Sequence, residues 1–394
     1  MVVNRKSEGS DFHAMKTIPY GHQSVSWRDA FRVAKAAKSD WMTMGPAVEK
    51  FEADLARLSG ATHAVAVSSG SAALHCAYAS IDLGPGDEII TSPLTFASTA
   101  STAINLGAKV VFADIQPDTG NIDPSHVEIL ITSKTKAVVA VDYAGHPADL
   151  DELLAITKKH RIVLIEDAAH SLGSTYRGRP VGSIADITTF SFFPTKNIAT
   201  GEGGAVVTND ENFAQKARLF RSHGLVRNRG SLKYPNEGPW HQEIHSLGLN
   251  YRLPDLLASL GSSQLRRIAS FKKRRRAIFS RYVEFLQGIN GLQLPTERNY
   301  VESMWHLFPI RVPTEARKTV FEGLRNRGIL VQVNYIPVYW HPYFEELGIK
   351  RGESPNSEAF YREEISLPMY TDLREAQQSR VAKELVALLS GAKK

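Results

Sequence analysis

The stretch that decides the fold runs from residue 189 to residue 206 and reads Thr-Phe-Ser-Phe-Phe-Pro-Thr-Lys-Asn-Ile-Ala-Thr-Gly-Glu-Gly-Gly-Ala-Val. Its two ends belong to apolar runs, residues 187–191 and 205–208, that are typical of buried β-strands. Between these strands lies Lys196, which is followed by a glycine-rich turn. A lysine between two such strands is an unusual placement, although a surface turn is the commoner explanation for a lone lysine.

Five more β-like runs precede this stretch, and helical patterns lie between them. The strand candidates are residues 64–67, 88–91, 110–113, 137–141 and 162–165, and the helical patterns include residues 72–81 and 150–160. Several runs consist of consecutive Val, Ile and Ala residues, as expected for strands buried on both faces of a mostly parallel sheet. The alternation predicts a three-layer α/β domain.

The pattern changes after about residue 265. A long charged helix is predicted for residues 265–286, followed by a strand at 305–312, a helix at 316–327, a strand at 329–334 and a final helix. We therefore predict three parts. They are a loose tail at residues 1–15, a large domain at 16–265 and a smaller α+β domain at 266–394.

Composition narrows the class of protein. Hydrophobic residues make up 43% of the 394 residues, and no apolar stretch reaches the length of a membrane span. The single cysteine, Cys76, cannot form an internal disulfide, which suits a cytoplasmic location. The net charge is +6, and the most obvious basic run is residues 272–276. A nucleic-acid patch is one interpretation of this run, but apolar residues at helical spacing favour a solvated helix face.

Three further segments carry candidate binding residues. Residues 67–74, Val-Ser-Ser-Gly-Ser-Ala-Ala-Leu, pass from a strand into a helix, and the first N–H groups of that helix would bind a phosphate. An ordinary Ser N-cap without a ligand is an explanation at least as common for this segment. Asp167 lies just past an apolar strand, where open α/β sheets bind ligands, so it could pair with a protonated pyridine nitrogen or simply cap a helix. Residues 247–255 resemble a loop that leads into a helix beginning near a proline.

The chemistry of Lys196 depends on its surroundings. If the site is desolvated, the pKa of the amine falls and the neutral amine can form a Schiff base with a carbonyl compound. Ser191 could add a hydroxyl group to a phosphate site. The sequence contains no zinc-type Cys/His spacing, no Gly-Lys-Ser/Thr phosphate loop and no Gly-x-Gly-x-x-Gly turn. These absences weaken metalloenzyme, kinase and dehydrogenase interpretations.

Taken together, the motifs resemble the DegT/DnrJ family of pyridoxal 5′-phosphate (PLP)-dependent sugar aminotransferases. The motifs that carry this resemblance are Ser-Gly-Ser-Ala-Ala-Leu, Glu-Asp-Ala-Ala-His, Ser-Phe-x-Pro-x-Lys-Asn and Gly-Glu-Gly-Gly, and the likeness extends from residue 18 to residue 370. The resemblance implies PLP-dependent transferase fold type I, which is aspartate aminotransferase-like. That fold has a large, mostly parallel seven-stranded sheet domain and a smaller α+β C-terminal domain.

The resemblance also implies roles for particular residues. Lys196 would form the Schiff base, Asp167 would pair with the pyridinium nitrogen, and His170 would support the ring and its O3′ side. The other expected cofactor contacts are Gly70, Ser71, Ala72 and Ser191 around the phosphate, Phe96 stacked on the ring, and Asn250 at the phosphate of the neighbouring subunit's cofactor. The last contact implies a homodimer with shared active sites, and no metal is expected.

Within the family, the sequence is most similar to transaminases of the pseudaminic acid pathway type. These enzymes aminate C4 of a UDP-linked 4-keto-6-deoxy-N-acetylhexosamine, and the expected amino donor is L-glutamate. The resembling stretches are residues 18–21, 39–49, 221–224, 238–240 and 335–343. There are two departures. Ser71 stands where Thr is common, and Phe193 replaces the usual His, which could mark a different sugar or nucleotide.

Four rival functions remain open, and one of them, a nucleic-acid binder, rests only on the basic run at residues 272–276. A family member acting on another keto sugar, in antibiotic or surface-glycan biosynthesis, would share all the motifs. A related PLP-dependent sugar dehydratase has histidine in place of the lysine, so Lys196 argues against it. A non-catalytic PLP-binding regulatory protein would not need the intact set of Lys196, Asp167 and Ser191.

Overall fold

The computed structural model describes residues 17–391, so the predicted tail at residues 1–15 lies outside the described residues. Its largest element is a seven-stranded sheet. In chain order, the strands are β1 (His63–Val67), β2 (Glu88–Thr91), β3 (Lys109–Phe112), β4 (Thr135–Val141), β5 (Val163–Asp167), β6 (Ile187–Ser191) and β7 (Gly204–Thr208). Each predicted strand of this domain is present, with ends that differ by at most two residues.

The sheet order is β1-β7-β6-β5-β4-β2-β3. Strand β7 runs antiparallel to both of its neighbours, and the other adjacent pairs are parallel. The strands are almost wholly buried, as the continuous apolar runs predicted. The predicted α/β fold with a large, mostly parallel seven-stranded sheet is therefore confirmed. The carboxyl ends of β1, β5 and β6 lie at one edge of this sheet, which brings the segments that follow them close together.

Helices cover the sheet and build the rest of the chain. The α-helices are α1 (Trp27–Ala37), α2 (Pro46–Ser59), α3 (Gly70–Ser80), α4 (Ser98–Asn105), α5 (Pro124–Leu130), α6 (Leu150–His160), α7 (Glu211–Arg221), α8 (Asp255–Leu265), α9 (Ile268–Leu286), α10 (Thr314–Asn326), α11 (Pro342–Glu346), α12 (Pro355–Glu363) and α13 (Glu375–Gly391). Short 3₁₀ helices are Tyr143–Gly145, Arg229–Ser231 and Val338–Trp340.

The remaining strands form three small sheets. They are Thr175–Tyr176, Arg179–Pro180 and Val301–Glu302 in one sheet, Leu225–Val226 and Glu243–Ile244 in a second, and Phe308–Arg311 and Glu364–Leu367 in a third. The strand predicted at residues 329–334 is wrong. This segment makes only isolated bridges, from Ile329 to Ile18 and from Gln332 to Ser366, and it forms no continuous ladder with either neighbour.

The C-terminal part has an apolar core of its own, in which helices α9, α10 and α13 pack with Phe308–Arg311. Ile18 belongs to this core and is bridged to Ile329, so the beginning of the described chain is attached to the C-terminal part. The division at residues 265 and 266 stays a prediction.

The basic run at residues 272–276 lies on α9 and is not solvated throughout. Arg275 is only 2% exposed, and its Nη1 atom donates a hydrogen bond to the carbonyl oxygen of Trp305 at 3.1 Å. The prediction of a solvated face is therefore wrong for Arg275. The helical period places this residue on the same side of α9 as the buried Phe271 and Ile278.

Candidate active site

A cavity of about 430 Å³ lies at the carboxyl edge of the large sheet. Open α/β sheets bind ligands at this edge, and the volume is typical of a small-molecule site. Seven of the nine predicted site residues line the cavity. They are Gly70, Ser71, Phe96, Asp167, His170, Ser191 and Lys196.

The first turn of α3 forms one wall of this cavity. Ser69 caps the helix, and its Oγ atom accepts a hydrogen bond from the backbone N–H of Ala72 at 3.0 Å. Gly70 lies so close to β6 that a Cβ atom built there would be 2.8 Å from the Cβ atom of Ser191. A Cβ atom at Gly204 would overlap the carbonyl oxygen of Ser69. Both glycines therefore let the helix start approach the β6–β7 turn closely.

This geometry distinguishes the three residues predicted to bind a phosphate. The N–H groups at the start of a helix have no partner within the helix, and they favour anions. Gly70 and Ser71 line the cavity, whereas Ala72 does not, and the N–H group of Ala72 already donates to Ser69. Gly70 and Ser71, with Ser191 opposite, are the residues best placed for a phosphate; the contact of Ala72 stays a prediction.

Asp167 is a buried carboxyl group at the end of β5. Its Oδ2 atom accepts a hydrogen bond from Thr99 Oγ1 at 2.8 Å, and its Oδ1 atom accepts one from the N–H of Ala169 at 3.3 Å. Burial raises the pKa of Asp167, while these hydrogen bonds and the charge of Lys196 oppose the rise. No cationic side chain in residues 17–391 forms an ion pair with it within 4 Å. A cation bound in the cavity would therefore favour its ionised form.

His170 lies beside this carboxyl group at the cavity wall. Its Nε2 atom is 3.1 Å from the hydroxyl group of Tyr335, whereas its buried Nδ1 atom has no hydrogen-bond partner among the described residues. Burial, followed by the charge of Lys196, lowers the pKa of His170 well below its ordinary value, so the ring is neutral. Tyr335 also lines the cavity. It was not predicted as a site residue, although it begins the resembling stretch at 335–343.

Lys196 is half-buried in the turn between β6 and β7. Its backbone N–H donates a hydrogen bond to the carbonyl oxygen of Phe193 at 2.8 Å. The neighbouring Asn197 donates from Nδ2 to the carbonyl oxygen of His170 at 2.8 Å, which ties this turn to the segment after β5. Burial lowers the pKa of the Lys196 amine to about 8, and Asp167 opposes the shift. A sizeable fraction of the amine is therefore neutral near physiological pH.

Two phenylalanines line the cavity, and much of the surface of each side chain is exposed. Phe96 is 62% exposed, its ring centroid is 6.4 Å from that of Tyr335, and Phe193 is 45% exposed. Asn250, in contrast, does not line this cavity; it is exposed and its backbone bridges to Ser222. Its contact with a neighbouring subunit's cofactor stays a prediction.

The cavity fits PLP in its chemistry. The start of α3 offers N–H groups for a phosphate, Asp167 is a buried carboxyl group without a contacting cation, and His170 has an unpartnered Nδ1 atom. Lys196 supplies an amine that is partly neutral near physiological pH. In the part of the chain that the structure describes, no group of three or more His, Cys, Asp or Glu side chains could hold a metal ion. Fold and site together define a PLP-dependent aminotransferase.

Comparison with known proteins agrees with this class. Residues 26–386 match the DegT/DnrJ/EryC1/StrS aminotransferase family, and the chain belongs to that family. The chain is 39% identical over 381 residues to the spore coat polysaccharide biosynthesis protein SpsC of Bacillus subtilis, which covers 95% of this chain and 98% of that protein. It is 37% identical over 384 residues to a UDP-4-amino-4,6-dideoxy-N-acetyl-beta-L-altrosamine transaminase of Campylobacter jejuni, covering 96% and 99% of the two chains.

Solved structures extend the likeness to three dimensions. Spr1654 of Streptococcus pneumoniae, described as a sugar aminotransferase and solved in its PLP form, superposes with a TM-score of 0.90 at 30% identity. The match covers 96% of this chain and 100% of that one. The predicted family, fold type, cofactor and amino transfer to a keto sugar are confirmed. No helix among residues 17–391 is long and apolar enough to cross a membrane.

Proposed function

We propose that this sugar aminotransferase moves the amino group of L-glutamate to C4 of a UDP-linked 4-keto-6-deoxy sugar. The observation that carries the proposal is the partly neutral amine of Lys196 in one cavity with the buried carboxyl group of Asp167. The sugar is inferred from the Campylobacter jejuni transaminase, whose name specifies a UDP-linked 4-amino-4,6-dideoxy product and which aligns over almost its whole length.

In this proposal the residues of each cavity wall contact a different part of the cofactor. PLP, when bound, supplies a conjugated ring that accepts electrons from the reacting carbon. The N–H groups of Gly70 and Ser71 and the hydroxyl group of Ser191 would hold its phosphate. Asp167 would keep a proton on the ring nitrogen, and His170 would support the ring beside its O3′ atom. The ring of Phe96 would cover one face.

Lys196 would move the proton. An amine with a pKa of about 8 can take a proton from the α-carbon of the donor at physiological pH and can release that proton again in the next step. A general base works best when its pKa is close to the operating pH, and burial of the amine provides this match. The hydrogen bond from Asn197 to the carbonyl of His170 holds the lysine turn against the segment that carries Asp167.

The homodimer with shared active sites belongs to the same proposal. The segment before Asn250 exposes large apolar side chains, including Trp240 at 79%, Ile244 at 66% and Leu247 at 90%. Exposed apolar patches of this kind mark contact surfaces between proteins. We place this segment against a second subunit, where Asn250 would reach the other cofactor phosphate. We also propose a cytoplasmic location, because the one cysteine is a free thiol.

A different keto sugar is the alternative that one observation favours. Phe193 lines the cavity with 45% of its surface exposed, at a position where the family resemblance implies a histidine. The aromatic ring of Phe193 would suit an apolar part of a sugar or a base better than a part that carries many hydroxyl groups. A non-catalytic role is disfavoured, because Lys196, Asp167 and Ser191 are all present at the cavity.

The first experiment is an absorbance spectrum of the chain with PLP, before and after excess L-glutamate. We expect a band at about 410–430 nm that moves to about 330 nm when the cofactor becomes aminated. A band that does not move would contradict L-glutamate as donor, and no band would contradict the assignment of Lys196. The Lys196→Ala variant is the control and should show neither the band nor turnover. A panel of UDP-, dTDP- and GDP-linked 4-keto sugars then tests the acceptor.

A further inference from the structure

Arg275 and His306 form a buried unit outside the cavity wall. They are 2% and 5% exposed, and neither lines the cavity. The Nη1 atom of Arg275 donates to the carbonyl oxygen of Trp305 at 3.1 Å and is 3.5 Å from that of His306. Within residues 17–391, no carboxylate forms an ion pair with this guanidinium group within 4 Å. A buried cation without a contacting anion is costly, so its place in the structure calls for an explanation.

The loop that Arg275 holds is also fixed to the edge of the large sheet. The backbone N–H of His306 donates to the carbonyl oxygen of Ala144 at 2.8 Å, just after β4. Ser303 Oγ donates to the carbonyl oxygen of Gly145 at 2.8 Å. A Cβ atom at Gly145 would lie 2.9 Å from both the His306 nitrogen and the carbonyl oxygen of His170. The backbone of His306 is therefore fixed close to that of His170 from two sides.

The two imidazole rings are in contact. Their centroids are 4.4 Å apart, with an angle of 35° between the ring planes. His170 has one hydrogen bond among the described residues, from or to Tyr335, and its Nδ1 atom has none. The Tyr335 ring also faces His170, with centroids 6.1 Å apart, so His306 at 4.4 Å is the nearer of the two rings that restrict the plane of His170. We propose that His306, held in place by Arg275, is a positioning residue that fixes the orientation of His170 at the cavity. The inference rests on the proposed function, in which His170 supports the PLP ring.

The charges around the pair support the same role. Burial contributes most to the lowered pKa of His306, and the nearby His170, Lys196 and Arg275 side chains lower it further. Lys196 acts on His170 in the same way, and Tyr335 faces it with a neutral hydroxyl group. The Arg275 guanidinium group therefore opposes protonation of His306, the ring that packs against His170. A neutral His170 keeps one donor and one acceptor nitrogen, whereas a protonated ring would offer two donors and repel the Lys196 ammonium.

The test is a histidine titration followed by NMR on the full chain, with the Cε1 atoms of histidine labelled with ¹³C. The His170 signal is assigned by its loss in His170→Gln. In the wild-type chain, this signal should stay constant between about pH 5 and pH 8, where an ordinary histidine titrates. His306→Phe keeps a ring in contact with His170 and should leave the signal constant. His306→Ala removes the ring, admits water and should make the signal titrate.

A second pair of variants tests the guanidinium group. Arg275→Met removes the hydrogen bonds to the carbonyl oxygens of Trp305 and His306, so the His306 ring is no longer held against His170 and the His170 signal should titrate. Lys273→Met removes an exposed cation of the same helix and should leave the signal constant. The dissociation constant for PLP is measured in the His306 variants as well. It should rise about tenfold in His306→Ala, which is the largest effect that loss of one ring contact supports, and it should stay within about twofold of wild type in His306→Phe.

The outcomes distinguish the positioning role of His306 from the proposed function as a PLP-dependent aminotransferase. A constant His170 signal in both His306→Ala and Arg275→Met would overturn the inference, as would a His170 signal that titrates in the wild-type chain. If His306→Ala does not fold, the pair Arg275→Met and Lys273→Met decides alone. Failure of the wild-type chain to give a visible PLP band would overturn the proposed function, while the His170 titration, measured without PLP, would still decide the positioning role.

Discussion

Gly70 begins α3 at the point where the helix meets β6, and alanine at this position tests the proposed phosphate site. The new Cβ atom would lie 2.8 Å from Ser191 Cβ and 2.9 Å from Ser191 Oγ. Ordinary contact begins at 3.4 Å, so the helix start and β6 must separate by the difference, about 0.6 Å. That movement shifts the N–H groups of the first turn of α3 away from Ser191. In the proposed site, these N–H groups and the Ser191 hydroxyl group bind the same phosphate.

Two magnitudes follow for Gly70→Ala. Overpacking a tight contact costs about 1–3 kcal/mol, and the better helix propensity of alanine returns at most about 1 kcal/mol, so we expect a net loss of about 1–2 kcal/mol in the free energy of unfolding. Loss of one charge-assisted hydrogen bond to the phosphate costs about 1.5–3 kcal/mol, which raises the dissociation constant for PLP about 10- to 100-fold. Denaturant unfolding and a PLP titration followed by absorbance measure these two quantities.

Double variants separate steric from chemical effects. Ser191→Gly removes both atoms that the new methyl group would meet, so Gly70→Ala with Ser191→Gly should be about 1–2 kcal/mol more stable than the two single changes predict. Ser191→Ala removes the Oγ contact at 2.9 Å but keeps the Cβ atom at 2.8 Å, so it should show a smaller coupling than Ser191→Gly. Neither double variant should recover PLP affinity, because the Ser191 hydroxyl group is absent. Gly84→Ala, whose Cβ atom meets nothing within 4 Å, is the control. Wild-type stability and PLP affinity in Gly70→Ala would refute the reasoning.

Three more outcomes can be measured independently. The rate at which PLP becomes linked to Lys196 should rise with pH through about 8, where the amine loses its proton, and a flat profile in stopped-flow absorbance would contradict this pKa. Glu364 is buried with a pKa raised to about 8, so the free energy of unfolding should fall as pH rises from about 5 to 8. Glu364→Gln should flatten that slope in thermal unfolding, and an unchanged slope would count against it. Burial raises the pKa of Cys76 to about 12, so this thiol should react with a thiol reagent at pH 8 only after denaturation, and rapid colour release by the native chain would be the contrary result.

The buried strands were the easiest features to predict from the sequence. The β-like runs predicted all seven strands of the large sheet, and several of them are continuous Val, Ile and Ala stretches, as a strand covered on both faces favours. The segment at residues 329–334 has a similar composition and was predicted as a strand, but it makes only single bridges. Composition shows that a segment can be buried in a sheet, and it does not show which other segment takes the place beside it.

The basic run at residues 272–276 shows a related limit. Charge and period alone favoured solvent for the whole run, yet Arg275 is buried against the carbonyl oxygens of Trp305 and His306. Its partners are backbone atoms some 30 residues away in the chain. Backbone carbonyl groups occur at every residue, so a sequence carries no sign that two of them will meet one guanidinium group. Tyr335 was not selected for the same reason, since its partner His170 lies 165 residues earlier.

The sequence by itself determined the fold class through local patterns of strands and helix starts, and it indicated the family and the kind of chemistry through the resemblance of its motifs to known sugar aminotransferases. Only the tertiary structure decided how the site is tuned. It placed Asp167 without a contacting cation, lowered the pKa of Lys196 to about 8 and packed the ring of His306 against that of His170. Desolvation and charge act through space over a few ångströms, between residues that are far apart along the chain. These effects exist only after packing has brought the residues together.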